Sequence, residues 1–152
     1  TLWLAKRAES VTSIEHDEAW AAELAPHLPP NVILLPVPPQ PAAGRADAVR
    51  SHKSGFEGLD FSDYVAAADS LDGQFDLVVV DGRAREACLP RALERLAPGG
   101  VIVFDNVDRA RYREAIAALG DAVEVDWTRG LTPTLPYPTR TALVRRSTGA
   151  RP

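Results

Sequence analysis

Four short aliphatic runs, separated mostly by stretches with helical spacing, constrain the fold of this sequence most. The runs are VTSIE (11–15), NVILLPV (31–37), FDLVVVD (75–81) and GVIVFD (100–105). They are rich in aliphatic and β-branched residues and lack sustained polar alternation, which is typical of strands that are covered on both faces in a parallel sheet. We therefore expect four strands in the core of a mostly parallel sheet.

Three further segments, 17–28, 89–100 and 108–120, have the apolar spacing of helices. Asp17 and Asp108 are suited to cap the first and third of these helices, and Pro90 suits the first turn of the second. Glycines are expected to end the second and third helices, at Gly99 and Gly120. The predicted apolar stripes are Trp20 with Leu24, then Leu89, Leu93 and Leu96, and finally Tyr112, Ile116 and Leu119.

Alternating strands and helices predict an α/β doubly wound, mostly parallel sheet with right-handed crossovers. The last two strand-like runs, 122–128 and 140–146, are joined only by the loop RGLTPTLPYP, so we expect them to pair as an antiparallel hairpin. A length of 152 residues is usual for one domain, and we predict a single domain over residues 1–152.

The stretch from 38 to 60 has little periodicity and is predicted to be a long, partly mobile loop before a short helix at 61–71. Two interpretations stay open for this loop. It is either a lid over a ligand site or a surface insertion without a role.

Composition limits the partners. The net charge of −4 and the 45% hydrophobic content exclude a disordered tail and a strongly basic nucleic-acid binder. The one cysteine, Cys88, cannot form an internal disulfide, and no run approaches the roughly 20 apolar residues of a membrane helix. We expect a cytoplasmic protein that binds neither nucleic acid nor membrane. Its oligomeric state is open, with a homodimer among the options.

Acidic residues end three of the predicted strands: Glu15, Asp81 and Asp105. In open α/β sheets, ligands bind beyond the carboxyl ends of the strands, so we expect these three acids to face one shared crevice. A strand-end carboxylate such as Glu15 can accept two hydrogen bonds from the ribose diol of a nucleotide cofactor, although a solvated loop acid is the simpler alternative. The adjacent His16 either borders an adenine ring or covers the surface.

Asp81, together with the Asp105–Asn106 pair, forms a second candidate site. Two carboxylates and an amide oxygen suit Mg²⁺ or Ca²⁺, and a bound cation could lower the pKa of a substrate hydroxyl. In the alternative interpretation, Asp105 and Asn106 only form a turn into the next helix, and Asp81 pairs with Arg83 or Arg85.

The segments TLWLAKRAESVTSIEHDEAW, FDLVVVDGRAR, LERLAPGGVIVFDNVDR and the terminal hairpin together resemble class I S-adenosylmethionine-dependent methyltransferases, especially the small-molecule O-methyltransferases. The resemblance implies a seven-stranded, Rossmann-like sheet whose last strand is antiparallel. It implies that Glu15 holds the cofactor ribose, that His16 borders the adenosine and that Asp81 faces the methionine end. In the metal-dependent catechol branch, the positions of Asp81, Asp105 and Asn106 hold Mg²⁺. We expect Asp81 and Asp105 to be the catalytic residues of this chain.

The sequence departs from this family at two points. Ala84 stands where the catechol branch has a general-base lysine, and the flanking Arg83 and Arg85 are better suited to clamp a carboxylate or phosphate of a substrate. The family's first strand and G-x-G-x loop should precede TLWLAKRA, so we expect upstream residues in the natural protein. Without that strand, a gap should lie between the second and fourth strands of the family's sheet.

We therefore expect methyl transfer from S-adenosylmethionine to an oxygen, or less often a nitrogen, of a small acceptor. Two other classes remain open: a nicotinamide-dependent oxidoreductase, in which a second-strand acid also binds ribose, and a non-catalytic binding or scaffold domain.

Overall fold

The computed structural model describes residues 1–131 and 136–148. The chain divides into two compact units, Thr1–Ser70 and Leu71–Pro152, whose described residues are treated separately below. Residues 132–135 of the predicted hairpin loop lie outside the described residues. That the whole chain forms one domain stays a prediction.

The first unit is built on two parallel strands. Strand β1 (Val11–Glu15) pairs in register with β2 (Val32–Pro36), from Val11 opposite Val32 to Glu15 opposite Pro36. The unit also contains the helices α1 (Leu2–Ala5), α2 (Glu18–Leu24) and α3 (Ser62–Ala66) and the short strands β3 (Gln40–Pro41) and β4 (Leu59–Asp60). The first two predicted strands and the short helix after the loop are therefore confirmed.

Helix α2 begins where the sequence predicts but buries a different face. The carboxylate of Asp17 accepts a hydrogen bond from the backbone N–H of Trp20 at 3.0 Å, which confirms Asp17 as the N-cap. The predicted apolar pair is wrong, because the Trp20 side chain is 52% exposed while Ala21 and Leu24 are buried.

The long loop of this unit is closed at its base. Strands β3 and β4 pair antiparallel, with Gln40 opposite Asp60. The backbone N–H of Phe61 also bonds to the carbonyl of Val49 at 2.8 Å, and Phe61 is fully buried. The loop is therefore tied to the unit at several points along its length.

The second unit contains a four-stranded sheet in the order β5-β6-β8-β7. Its strands are β5 (Phe75–Val80), β6 (Leu96–Asp105), β7 (Val123–Leu131) and β8 (Pro138–Arg146). β5 and β6 are parallel, whereas β8 lies antiparallel between β6 and β7. A parallel sheet that ends in an antiparallel hairpin is thus confirmed, together with the α/β fold class. In the described residues, β1 and β2 form a sheet of their own, separate from this one.

Helices α4 (Arg85–Glu94) and α5 (Ala110–Ala117) follow β5 and β6 along the chain. The core of the unit is formed by apolar side chains from these helices and from the sheet. Its fully buried members include Leu89, Leu96, Ile102, Phe104, Val107, Ala142 and Val144.

Several predicted helix ends are wrong in this unit. Helix α4 begins at Arg85, so Pro90 lies inside it, and β6 begins at Leu96, so Gly99 lies inside a strand. Helix α4 begins four residues before its predicted start at Leu89. Ala84, just before it, adopts a left-handed conformation with φ of 47°, and the side chain of Arg85 is hydrogen-bonded to a neighbouring strand end.

The cap of α5 is also displaced by one residue. The N-cap is Arg109, not Asp108. The carboxylate of Asp108 instead accepts a hydrogen bond from the backbone N–H of Arg140 at 2.8 Å. The predicted stripe is otherwise correct, since Tyr112 and Ile116 are buried in the core and Leu119 packs against it. None of the helices in residues 1–131 and 136–148 is long and apolar enough to cross a membrane.

Candidate functional site

The first candidate site lies at the carboxyl end of β1. Glu15 Oε1 accepts a hydrogen bond from the backbone N–H of Asp17 at 2.9 Å and lies 2.8 Å from His16 Nδ1. Within the described residues, the other carboxylate oxygen, Oε2, makes no hydrogen bond. The carboxylate is therefore oriented by the turn into α2 through Oε1. That Glu15 binds a cofactor stays a prediction.

His16 lies in an aromatic cluster formed by loop and α3 residues. Its ring centroid is 5.6 Å from that of Phe56, 6.1 Å from Phe61 and 5.9 Å from Tyr64. The His16 side chain is only 13% exposed, which contradicts the interpretation in which it merely covers the surface. Because Phe56 belongs to the long loop, this cluster packs that loop against the end of β1.

Asp60, which the sequence analysis did not single out, is a buried acid beside this cluster. Its Oδ1 accepts hydrogen bonds from Ser62 Oγ at 2.5 Å, from Ser62 N at 2.9 Å and from Val49 N at 3.0 Å. Its Oδ2 lies 3.4 Å from Arg45 Nη1. The hydrogen bond from the Ser62 hydroxyl is the main cause that lowers the pKa of Asp60. The Asp-x-Ser spacing, which favours local side-chain turns, is the signal that could have identified this anchor of the loop.

The second candidate site, which we call the Asp81–Asp105 cluster, consists of Asp81, Asp105, Arg85 and Thr141. Asp81 follows β5 and Asp105 ends β6, and since these neighbouring strands are parallel, both acids lie at the same edge of the sheet. Arg85 lies between them: its Nη2 is 2.6 Å from Asp81 Oδ1, and its Nη1 is 3.8 Å from Asp105 Oδ2. Pairing of Asp81 with Arg85 is thus confirmed.

The guanidinium of Arg85 also binds the backbone at the ends of both strands. Nε donates to the carbonyl of Gly82 at 3.0 Å, Nη1 to that of Asp105 at 2.8 Å and Nη2 to that of Asp81 at 2.7 Å. The residue is 6% exposed. The expectation that Arg85 clamps a substrate anion is therefore wrong, because its donors are directed at the protein's own strand ends.

The two carboxylates of the cluster have different surroundings. Asp105 is 30% exposed and its Oδ1 accepts a hydrogen bond from Thr141 Oγ1 at 2.7 Å. The Asp81 side chain is 61% exposed, yet partial desolvation by nearby atoms raises its pKa, with the Arg85 guanidinium opposing this effect and the Asp105 carboxyl adding to it. Asp81 is therefore the accessible member, and Asp105 is the fixed one.

Ala84 and Asn106 both adopt left-handed backbone conformations beside the cluster, with φ of 47° and 59°. Ala84 is 4% exposed, so the position of the catechol branch's lysine is buried in this chain. Asn106 begins the turn into α5, where its carbonyl accepts a hydrogen bond from Arg109 N at 3.4 Å. Such conformations cost free energy for residues other than glycine and occur often at functional sites.

The cluster does not fit a divalent cation as it is arranged. Asp81 Oδ1 and Asp105 Oδ2 face the Arg85 guanidinium, and Asp105 Oδ1 is bonded to Thr141. Throughout the described part of the chain, no group of three or more His, Cys, Asp or Glu side chains is placed to hold a metal ion. The prediction that Asp81, Asp105 and Asn106 bind Mg²⁺ gains no support from this arrangement.

Of the three acids that were predicted to face one crevice, Asp81 and Asp105 lie together at one edge of the sheet. Glu15 belongs to the first compact unit and the other two acids belong to the second. A crevice shared by all three stays a prediction.

Comparison with known proteins identifies a family for most of this chain. A family model described as a methyltransferase domain matches residues 1–107. Among curated proteins, none matches the sequence significantly.

Solved structures share the fold at low sequence identity. The O-methyltransferase TomG from Streptomyces achromogenes, solved in complex with S-adenosylmethionine, superposes with a TM-score of 0.64 at 18% identity, over 96% of this chain and 67% of that one. Precorrin 8w decarboxylase from Methanobacterium thermoautotrophicum gives 0.56 at 19% identity, over 97% and 74%. A Streptococcus mutans protein in complex with S-adenosylhomocysteine gives 0.58 at 12% identity, over 94% and 80%. These similarities concern the fold.

Proposed function

Because the chain belongs to the class I S-adenosylmethionine-dependent methyltransferase family, we propose that it transfers a methyl group from S-adenosylmethionine to an oxygen of a small molecule. The observation that carries the choice of oxygen is the Asp81–Asp105 cluster. It offers an accessible carboxylate at the carboxyl edge of the sheet, where ligands bind in such folds. The fold similarity to an O-methyltransferase supports the same choice.

Glu15 and His16 are the residues proposed to hold the cofactor. Oε2 of Glu15 has two lone pairs available for the ribose hydroxyls, while Oε1 is already bonded to the turn that orients the side chain. His16 and the aromatic rings around it offer an apolar surface for adenine. Asp81 is proposed to face the methionine end. When bound, the cofactor supplies an electrophilic methyl group.

The chain's own contribution is alignment and proton removal. In-line methyl transfer needs the acceptor oxygen held close to the methyl group and its hydroxyl proton accepted. Asp81 is proposed to accept that proton, because it is exposed and partial desolvation raises its pKa. Asp105, fixed by Thr141 and Arg85, is proposed to orient the acceptor hydroxyl.

A small acceptor in the cytoplasm is preferred to a nucleic acid. The net charge of −4 gives little of the electrostatic attraction on which phosphate binding depends. The single cysteine is typical of reducing compartments.

A non-catalytic binding domain is the second candidate. The observation that favours it is the buried Ala84, which leaves the position of the catechol branch's basic side chain without a titratable group. Family membership disfavours a nicotinamide-dependent oxidoreductase.

Calorimetric titration with S-adenosylhomocysteine and, separately, with NADH tests the proposal. We expect binding of the first ligand only, and we expect Glu15→Gln to weaken it by roughly tenfold, which corresponds to about 1.4 kcal/mol. Glu18→Gln is the matched control, since Glu18 lies in the first turn of α2 and is exposed. Equal affinity in the two variants would exclude Glu15 from the ribose site. Binding of S-adenosylhomocysteine without methylation of any of a set of catechols, phenols and hydroxy acids would favour the binding domain.

A further inference from the structure

Arg85 occupies the position that a metal ion would need in order to bridge Asp81 and Asp105. We propose that Arg85 is a positioning residue that acts as the built-in cation of the Asp81–Asp105 cluster, so that the two carboxylates are held for methyl transfer without a divalent ion. The catalytic part of this inference rests on the proposed function, whereas the electrostatic part does not.

The contacts of Arg85 use every nitrogen of its guanidinium. Three backbone carbonyls and two carboxylates lie around it, and the closest carboxylate distance is 2.6 Å. Charge-assisted contacts in this planar fork are directional, so the group fixes both strand ends as well as neutralising charge. The Arg85 residue itself is only 6% exposed, so water reaches its guanidinium poorly even though Asp81 is accessible.

The place of Arg85 in its helix argues that the cation has a specific role. Arg85 is the first residue of α4, where the helix dipole disfavours a positive charge. Its guanidinium carbon also lies 5.7 Å from the ring centroid of Tyr112, which is buried on α5. The unfavourable helix position is offset by the two acids. Removal of the cation would leave two neighbouring carboxylates with Arg83 as the remaining nearby positive charge, and Arg83 lowers the pKa of Asp81 less than Arg85 does.

A divalent ion and the guanidinium would compete for the same oxygens. Mg²⁺ and Mn²⁺ prefer carboxylate ligands, and a pair of carboxylates at one sheet edge is a site to which either ion could bind. With Arg85 in place, a second cation would be repelled by it. Without Arg85, the pair should bind the ion.

The test is titration of Mn²⁺ into the full chain, in which the electron paramagnetic resonance signal of the free ion gives the dissociation constant. Arg85→Met removes the charge and keeps an unbranched side chain, and Arg91→Met is the control, since Arg91 is an exposed arginine of the same helix that pairs with Glu94. We expect Arg85→Met to bind Mn²⁺ about tenfold or more tightly than the wild type. We expect the control to equal the wild type, and we expect Asp105→Asn, added to Arg85→Met, to abolish the gain.

Two results would overturn the proposal. One is an Arg85→Met variant that gains no affinity for Mn²⁺, and the other is a wild type that already binds Mn²⁺ tightly and loses the ion in Asp105→Asn. If Arg85→Met does not fold, the wild-type titration still decides, together with Arg85→Lys, which keeps a cation and should bind Mn²⁺ as weakly as the wild type.

Methylation assays separate positioning from a purely structural role. With an acceptor in hand, the wild type should keep full activity in a chelator, whereas Arg85→Met should lose activity and regain part of it on addition of Mn²⁺. A structural defect alone would not respond to the metal. Calorimetry with S-adenosylhomocysteine reports on the proposed function independently, because failure of cofactor binding would leave the Mn²⁺ result intact.

Discussion

The hydrogen bond from Thr141 to Asp105 allows a quantitative test of how the candidate site is held. Thr141→Val keeps the branched shape and the strand preference of the side chain but removes the hydroxyl that donates to Asp105 Oδ1 at 2.7 Å. Hydrogen bonds to charged groups contribute about 1.5–3 kcal/mol, and Asp105 is 30% exposed, so water can replace part of the loss. We therefore expect the free energy of unfolding to fall by about 1–2 kcal/mol.

Urea denaturation followed by circular dichroism measures this change. With a slope of about 2 kcal/mol per molar urea, the midpoint should fall by roughly 0.5–1 M. Thr128→Val is the matched control, because the Thr128 hydroxyl donates to the carbonyl of Thr141 at 3.0 Å from an exposed position of the same hairpin. The control should lose less than about 1 kcal/mol. The reasoning is refuted if the two variants shift the midpoint equally, or if Thr141→Val costs as much in an Asp105→Ala background as in the wild type.

Three further predictions concern the framework around the site. In urea denaturation, Gly100→Ala should lower the free energy of unfolding by about 1–3 kcal/mol, because the new Cβ would lie 2.9 Å from a leucine side chain and 3.0 Å from two backbone oxygens. Gly130→Ala is the control, since a Cβ there meets open space, and it should change the free energy of unfolding by less than about 0.5 kcal/mol. The pKa of Asp60 is lowered in the folded state, chiefly by Ser62. Its ionised carboxylate therefore stabilises the fold above the pKa of an unfolded aspartate, and this contribution is lost as the pH falls. Asp60→Asn should accordingly flatten the acid limb of a plot of unfolding free energy against pH. Burial raises the pKa of Cys88 to about 12, so its reaction with iodoacetamide at pH 8 should be slow until urea unfolds the chain.

Each of these predictions has a contrary outcome. Equal stability of the two glycine variants would mean that the strand shifts freely at Gly100. An unchanged acid limb in Asp60→Asn would show that Asp60 does not anchor the loop. Rapid alkylation of folded Cys88 would place its thiol in solvent.

Local pattern in the sequence determined where most strands lie and how they pair. β1 coincides with its predicted run, and the hairpin of β7 and β8 follows from two strand-like runs with only a loop between them. The cap at Asp17 and the acids at the ends of β5 and β6 follow from spacing of a few residues. Side-chain alternation and capping act over such short distances, so the sequence carries these signals directly.

The tertiary structure alone decided how the polar groups are paired. Arg85 bonds to the carbonyl of a residue 20 positions later, and Asp105 bonds to Thr141, 36 positions away. Neighbours distant in sequence also explain three further differences from the prediction. Helix α4 begins before its predicted start, Trp20 is exposed, and Asp108 accepts a hydrogen bond from Arg140 instead of capping α5. Propensity and periodicity describe a residue's own segment, whereas a buried charge takes whichever partners the packed strands bring within reach, and only the folded chain determines those.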